Sequence, residues 1–126
     1  MTAFLLVCLG GALGSGARYL VATAVARASR TGFPAGTAIV NLSGSFVLGA
    51  VAAVALRGGL GEPARLLLGP GLMGGYTTYS SFNWETLALL EGRRLSAAAA
   101  NLGITVAGCL AAAALGAAVG GGFHAP

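Results

Sequence analysis

The chain contains no lysine and no aspartate. Its formal charges are seven arginines plus Glu62, Glu85 and Glu91, only 8% of 126 residues, where soluble domains carry roughly 25%. So few charges cannot cover the surface of a water-soluble protein of this size. With 56% hydrophobic residues, the composition is that of a membrane protein. The one histidine, His124, stands two residues from the end, so no Ser/His/Asp set exists and nothing indicates an enzyme. No Cys-x-x-Cys, Cys/His or His/Glu spacing is present, which excludes the common metal motifs. Cys8 and Cys109 fall within the first and last apolar runs and read as small buried hydrophobes. The net charge of +4 does not signal nucleic acid, because no basic stripe with interleaved aromatics accompanies it.

Charge is also missing over long stretches, and those gaps define the architecture. A helix crossing the hydrocarbon needs ~20 largely apolar residues. The charge-poor runs allow four such spans, at about 3–26, 35–56, 65–90 and 95–119. The first run does not read as a signal peptide: no basic residue precedes it, and Gly10, Gly11 and Gly14 interrupt its apolar core. The breaks at 27–34, 57–63 and 91–94 are short and hold Gly or Pro with charge. Loops this short lay consecutive spans antiparallel, side by side. The whole chain, 1–126, reads as one four-helix transmembrane domain in a cell membrane.

Arginine placement gives a weak orientation signal. The first and third loops carry Arg27, Arg30, Arg93 and Arg94; the second carries Arg57 and Arg65. The positive-inside rule puts the first and third loops in the cytoplasm. The margin is narrow enough to keep insertion in both orientations open.

Glycine is plentiful, at 22 residues. In lipid, small residues let helix backbones approach closely. Gly10-xxx-Gly14, Gly32-xxx-Gly36, Ser45-xxx-Gly49 and Gly116-xxx-Gly120 fit that use.

Function in such a chain is sought where polarity is costly. In the second span, Thr37, Asn41 and Ser45 recur every four residues and share one helix face. An unpaired amide in hydrocarbon costs several kcal/mol, so Asn41 meets protein, water or a solute. Interhelical glue and a hydrated pathway are both open readings. Asn101, Thr105 and Cys109 repeat the spacing in the fourth span. The third span is the strongest feature. Residues 69–85 combine Pro70 with four glycines, four Ser/Thr hydroxyls and four aromatics. That is a poor continuous helix, and irregular backbone at membrane depth survives only when buried in protein or lining a cavity. A broken helix presents carbonyls at one end and amides at the other, both able to meet ions. Tyr79 and Phe82 share a face, with Ser80 and Ser81 beside them. Aromatic edges carry positive potential. With hydroxyl and amide donors they can line a path for a small anion without fixing it on a full charge. Composition and spacing thus reach a small-ion pathway in a small oligomeric bundle.

Three ordered motifs carry a resemblance that covers essentially the whole chain. Gly74-Gly-Tyr-Thr-Thr-Tyr-Ser-Ser-Phe82 resembles the Gly-Gly-x-Thr-Thr-Phe-Ser-Thr-Phe of the CrcB/Fluc-type fluoride channels. Gly36-Thr-Ala-Ile-Val-Asn41, followed by Gly44, resembles their second-span motif, and Gly14-Ser-Gly-Ala-Arg18-Tyr19 their first. The resemblance implies an antiparallel, dual-topology dimer with two fluoride pores and a sodium ion at its centre. It also implies an Asn41 that binds fluoride, with Tyr79 and Phe82 at the pair of pore phenylalanines. Thr37, Ser80 and Ser81 match the polar track. Gly74 and Thr77 match the positions whose backbone carbonyls hold sodium. Arg18, Glu85, Asn101 and Thr105 fall in the pore vicinity. The chain departs from the pattern at Tyr79, which adds a hydroxyl, and at Asn101, where many members have tyrosine. Paired, diverged copies that work as a heterodimer are one setting for such changes, so the partner is a second copy or a sister chain.

Two other classes compete with an ion channel. A small proton-coupled multidrug-type exporter shares the four-span dimer but needs a membrane-embedded carboxylate. Here only Glu85 could serve. A non-conducting membrane scaffold subunit would need no broken, hydroxyl-rich span.

Overall fold

A computed structural model of the chain describes residues 1–29 and 32–122; Arg30 and His124 lie outside these. Among the described residues the fold is all helix, without strands. Helix α1 spans Thr2–Ala28, α2 Ala35–Leu56 and α6 Leu95–Gly122. These three follow the first, second and fourth expected spans closely, with Arg18 inside α1. They are long and apolar enough to cross a membrane, with mean hydropathies of 1.6, 2.0 and 2.1. The chain between α2 and α6 is subdivided. Helix α3, Glu62–Leu66, leads into a π-helical segment, Leu67–Met73, then α4, Gly74–Tyr76, and after two extended residues α5, Tyr79–Glu91.

Pro70 lies inside the π-helical segment. A proline in an α-helix removes one hydrogen bond and pushes its ring into the carbonyl four residues back. A π-bulge, with its wider i→i+5 spacing, absorbs that misfit locally. The proline therefore distorts this stretch without ending it.

Backbone contact through glycine sets the packing. A Cβ on Gly10 would meet the Leu67 carbonyl and the Leu72 amide, and one on Gly14 would fall on the Leu72 carbonyl. Helix α1 thus lies directly on the π-helical segment and α4. The α2–α6 pair is built alike: a Cβ on Gly116 would collide with the Phe46 carbonyl, and one on Gly49 with Ala113. Gly36 presses against Ala22 of α1. Gly32 differs from the expectation that paired it with Gly36 on a helix face. It sits before α2 at φ 64°, and its carbonyl accepts a 2.8 Å bond from Arg94 Nη1.

Helix α5 ends in a Schellman motif, with Arg93 N–H bonded to Leu90 O and Arg94 N–H to Leu89 O. Arg93 occupies the left-handed position at φ 56°, a place usually taken by glycine. That turn sends the chain straight into α6.

The distribution of polarity inverts that of a soluble protein. Thr37, Asn41, Thr78, Asn101 and Thr105 are buried, whereas Phe4, Leu5, Leu9, Leu13, Leu102 and Leu110 are exposed. Large exposed apolar surface marks a membrane or protein interface. Both suit a multi-pass membrane protein.

Candidate ion pathway at the interrupted segment

The interruption is two residues long. Thr77 and Thr78 adopt extended backbone, at φ −75°, ψ 158° and φ −149°, ψ 122°. β-Branched residues tolerate this conformation well. Thr77 N–H still closes on Met73 O at 2.9 Å, but the Thr78 N–H and carbonyl lose their helical partners. Asn41 of α2 supplies them. Its Nδ2 donates to Thr78 O at 2.8 Å, and its Oδ1 accepts from Thr78 N–H at 2.8 Å. The buried amide side chain acts as a peptide group laid across the gap. Gly44, one turn on, leaves the room that Thr77 and the Tyr76 ring occupy.

The two ends of the gap differ in polarity. In a continuous helix the Thr78 N–H would close on the Gly74 carbonyl; here it is committed to Asn41. The α4 side therefore presents carbonyl oxygen. On the α5 side, Thr78 is the N-cap, its Oγ1 accepting from Ser81 N–H at 3.2 Å. The amides of Tyr79 and Ser80 in that first turn have no intrahelical acceptor. Together with the helix dipole they make this end attractive to anions.

A groove of about 450 Å³ opens at the gap, walled by Asn41, Ser45, Thr78, Tyr79, Phe82 and Thr105, with Cys109 and apolar residues of α2 and α6. The Tyr79 and Phe82 ring centroids are 5.8 Å apart, with planes tilted by 42°. The rings are not equivalent: Phe82 is 4% exposed and Tyr79 74%. The Thr105 hydroxyl is buried and has no hydrogen-bond partner among the described residues.

A second polar locus lies one turn earlier on α2. Thr37 Oγ1 donates to Glu85 Oε1 at 2.6 Å, while Glu85 Oε2 is buried without a partner among the described residues. Glu85 also borders two clefts of about 410 and 470 Å³, one reaching Arg94 and the other Arg27. Thr37 and Asn41 thus grip α5 at two levels, with Ser81 between them in sequence and half-buried; Ser80 is exposed.

The remaining sequence-derived residues separate. Arg18 is half-buried on α1 and borders neither the groove nor the clefts. Gly74 and Thr77 flank the carbonyl side of the gap. Asn101 is 1% exposed and absent from the groove wall that Thr105 lines. Its Nδ2 instead donates to Thr86 Oγ1 at 2.9 Å. Thr86 had no place in the sequence reading; a lone threonine in a helix most often bonds its own backbone, which masks any second partner. No group of three His, Cys, Asp or Glu side chains suited to a metal occurs among the described residues.

Residues 5–117 match a family described as CrcB-like protein, Camphor Resistance (CrcB). A fluoride-specific ion channel FluC of Anaeromyxobacter dehalogenans is 59% identical over 114 residues, 90% of each chain. The fluoride-specific ion channel FluC of Thermus thermophilus is 49% identical over 92 residues, 73% of this chain and 74% of its own. Fluoride-specific ion channel FluC 1 of Thermobifida fusca is 44% identical over 123 residues, 98% of each.

Proposed function

Because the chain belongs to the CrcB family, we propose that it is a fluoride-selective channel of the cell membrane. It lets fluoride leave the cytoplasm by passive permeation and so protects against fluoride toxicity. The observation that carries this reading is the gap at Thr77 and Thr78, sealed by Asn41 and bordered by an aromatic pair and hydroxyls.

Fluoride is small and holds its water tightly, so a pathway must offer replacement donors without a full positive charge that would trap it. The α5 N-terminus offers amide N–H groups. Tyr79 and Phe82 offer ring edges of positive potential. Asn41 keeps one Nδ2 hydrogen beyond the one given to Thr78. The hydroxyls of Thr37, Ser80 and Ser81 extend the track toward Glu85. Among the described residues no arginine borders the groove at the gap, which suits release as much as entry.

In this reading the interrupted stretch from α3 to α5 is the third of four spans, broken near mid-membrane. The working unit is an antiparallel, dual-topology dimer with a second copy or a sister chain. A half-open groove and a Tyr79 ring left 74% exposed call for a partner to close the path against lipid. The near-balance of loop arginines is compatible with insertion in both orientations. A sodium ion at the dimer centre would be held by the Gly74 and Thr77 carbonyls. The fit is chemical: unwound backbone at a helix C-terminal end is a sodium-type donor set, and Asn41 diverts the amide that would otherwise occupy the Gly74 oxygen. Such an ion would supply fixed positive charge that pins two opposed gaps together.

Fluoride efflux from liposomes containing the purified protein, alone and with any sister chain, tests the function. Fluoride should leave while chloride stays. Absence of fluoride efflux from every assembled combination would overturn the reading.

A further inference from the structure

Among the described residues, three side-chain hydrogen-bond links tie helix α5 and its N-cap Thr78 to neighbouring helices. Two run to α2, through Asn41–Thr78 and Thr37–Glu85. The third runs to α6, and it ends on the backbone of a ring that walls the groove.

Asn101 is among the most deeply buried side chains, at 1% exposure, where an amide must be hydrogen-bonded. Its Nδ2 donates to Thr86 Oγ1 at 2.9 Å, and Thr86 Oγ1 donates onward to Phe82 O at 2.7 Å. A threonine hydroxyl has one hydrogen and two lone pairs. Spending the hydrogen on Phe82 leaves a lone pair to accept the amide, so the two bonds are compatible and polarise each other. A hydroxyl bonded to the carbonyl four residues back commonly bends its helix, and here that carbonyl belongs to Phe82. The Phe82 ring is 4% exposed and lies against the largely exposed Tyr79. Asn101 itself does not border the groove, although Thr105, one turn along α6, does.

We propose that Asn101 is a positioning residue for the Phe82 ring, acting through the Thr86 hydroxyl, and that fluoride does not touch it. This rests on the reading that Phe82 lines the fluoride path.

The test is a double-variant cycle on fluoride efflux at matched density of assembled protein, with Trp84 fluorescence as a second readout. Trp84 is the sole tryptophan and stands on α5 between Phe82 and Thr86, 74% exposed. Asn101→Leu and Thr86→Val should each lower flux about tenfold, as expected when a buried partner is left unsatisfied. The combined variant should lose no more than the worse single one, since both cut the same link. Thr86→Ser keeps the hydroxyl and should stay within about twofold, with Trp84 emission unchanged, whereas Thr86→Val should shift that emission. Losses that multiply in the double variant would overturn the proposal, because Asn101 would then act independently of Thr86. Should Asn101→Leu fail to assemble, equal flux from Thr86→Ser and Thr86→Val would overturn it alone. Phe82→Ile separates the premise. Normal flux there removes the pathway reading itself, while poor flux combined with multiplying losses removes only the positioning role.

Discussion

Asn41 and Thr78 bond each other twice, the side-chain amide of one meeting both peptide groups of the other at 2.8 Å. Of the two readings the sequence left for Asn41, these bonds supply the interhelical one: the oxygen and one amide hydrogen bridge the gap. The second amide hydrogen is the one that the proposed pathway uses.

Asn41→Leu should accordingly affect conduction and stability together. We expect fluoride flux to fall at least tenfold, equivalent to about 1.4 kcal/mol on the limiting barrier. The orphaned Thr78 amide and carbonyl should also lower thermal stability, at about 1–3 kcal/mol for each buried group left unpaired. Normal flux with unchanged melting would return Asn41 to the status of an ordinary core residue.

The second prediction separates ring edge from hydroxyl at Tyr79. Tyr79→Phe preserves the edge and should keep flux within a few-fold of the parent. Tyr79→Ile removes the edge and should reduce flux strongly. Liposome efflux at matched density distinguishes the cases; equal losses in both variants would assign the work to the hydroxyl.

A third prediction concerns close backbone packing. A Cβ on Gly116 would collide with the Phe46 carbonyl, while Gly103 on the same helix faces open space. Gly116→Ala should force α2 and α6 apart and cost about 1–3 kcal/mol or more, as overpacked sites do. Gly103→Ala should leave the monomer fold intact, since a helical glycine gains roughly 1 kcal/mol on becoming alanine. Melting of both variants in detergent checks the contrast, and equal melting would refute it.

The fourth prediction addresses assembly. Conduction should require two chains, because a bundle as small as the proposed four spans has too few faces both to line a path and to shield it from lipid. Cross-linking of active membranes should trap dimers, and accessibility labelling of a homodimer should find both orientations. Replacing sodium with a large organic cation should weaken the cross-linked fraction if Gly74 and Thr77 hold sodium at the dimer centre. Exclusively monomeric protein in conducting membranes would contradict the assembly.

Charge spacing located α1, α2 and α6 well, because lipid imposes a length that any uncharged run must meet. The interrupted segment was legible as irregular, but its anatomy was not. Proline is the loudest signal in that stretch, yet Pro70 is absorbed by a π-helical turn and the gap opens further on at Thr77 and Thr78, where Asn41 of a neighbouring helix bonds the Thr78 peptide groups. Helical periodicity also placed Asn101 and Thr105 on one face without revealing that two neighbours divide it. Asn101 turns to α5, while Thr105 looks into the groove. Only tertiary packing carries that information.

The order of the partners along the chain bears on how the protein is made. A gap that exposes peptide groups cannot rest alone in hydrocarbon, so it needs its shelter in place by the time it enters the bilayer. Gly10 and Gly14 of α1 and Asn41 of α2 all precede Thr78 and are synthesised first. The gap can therefore dock as it emerges, and Asn101, translated later, closes on Thr86 as a final latch.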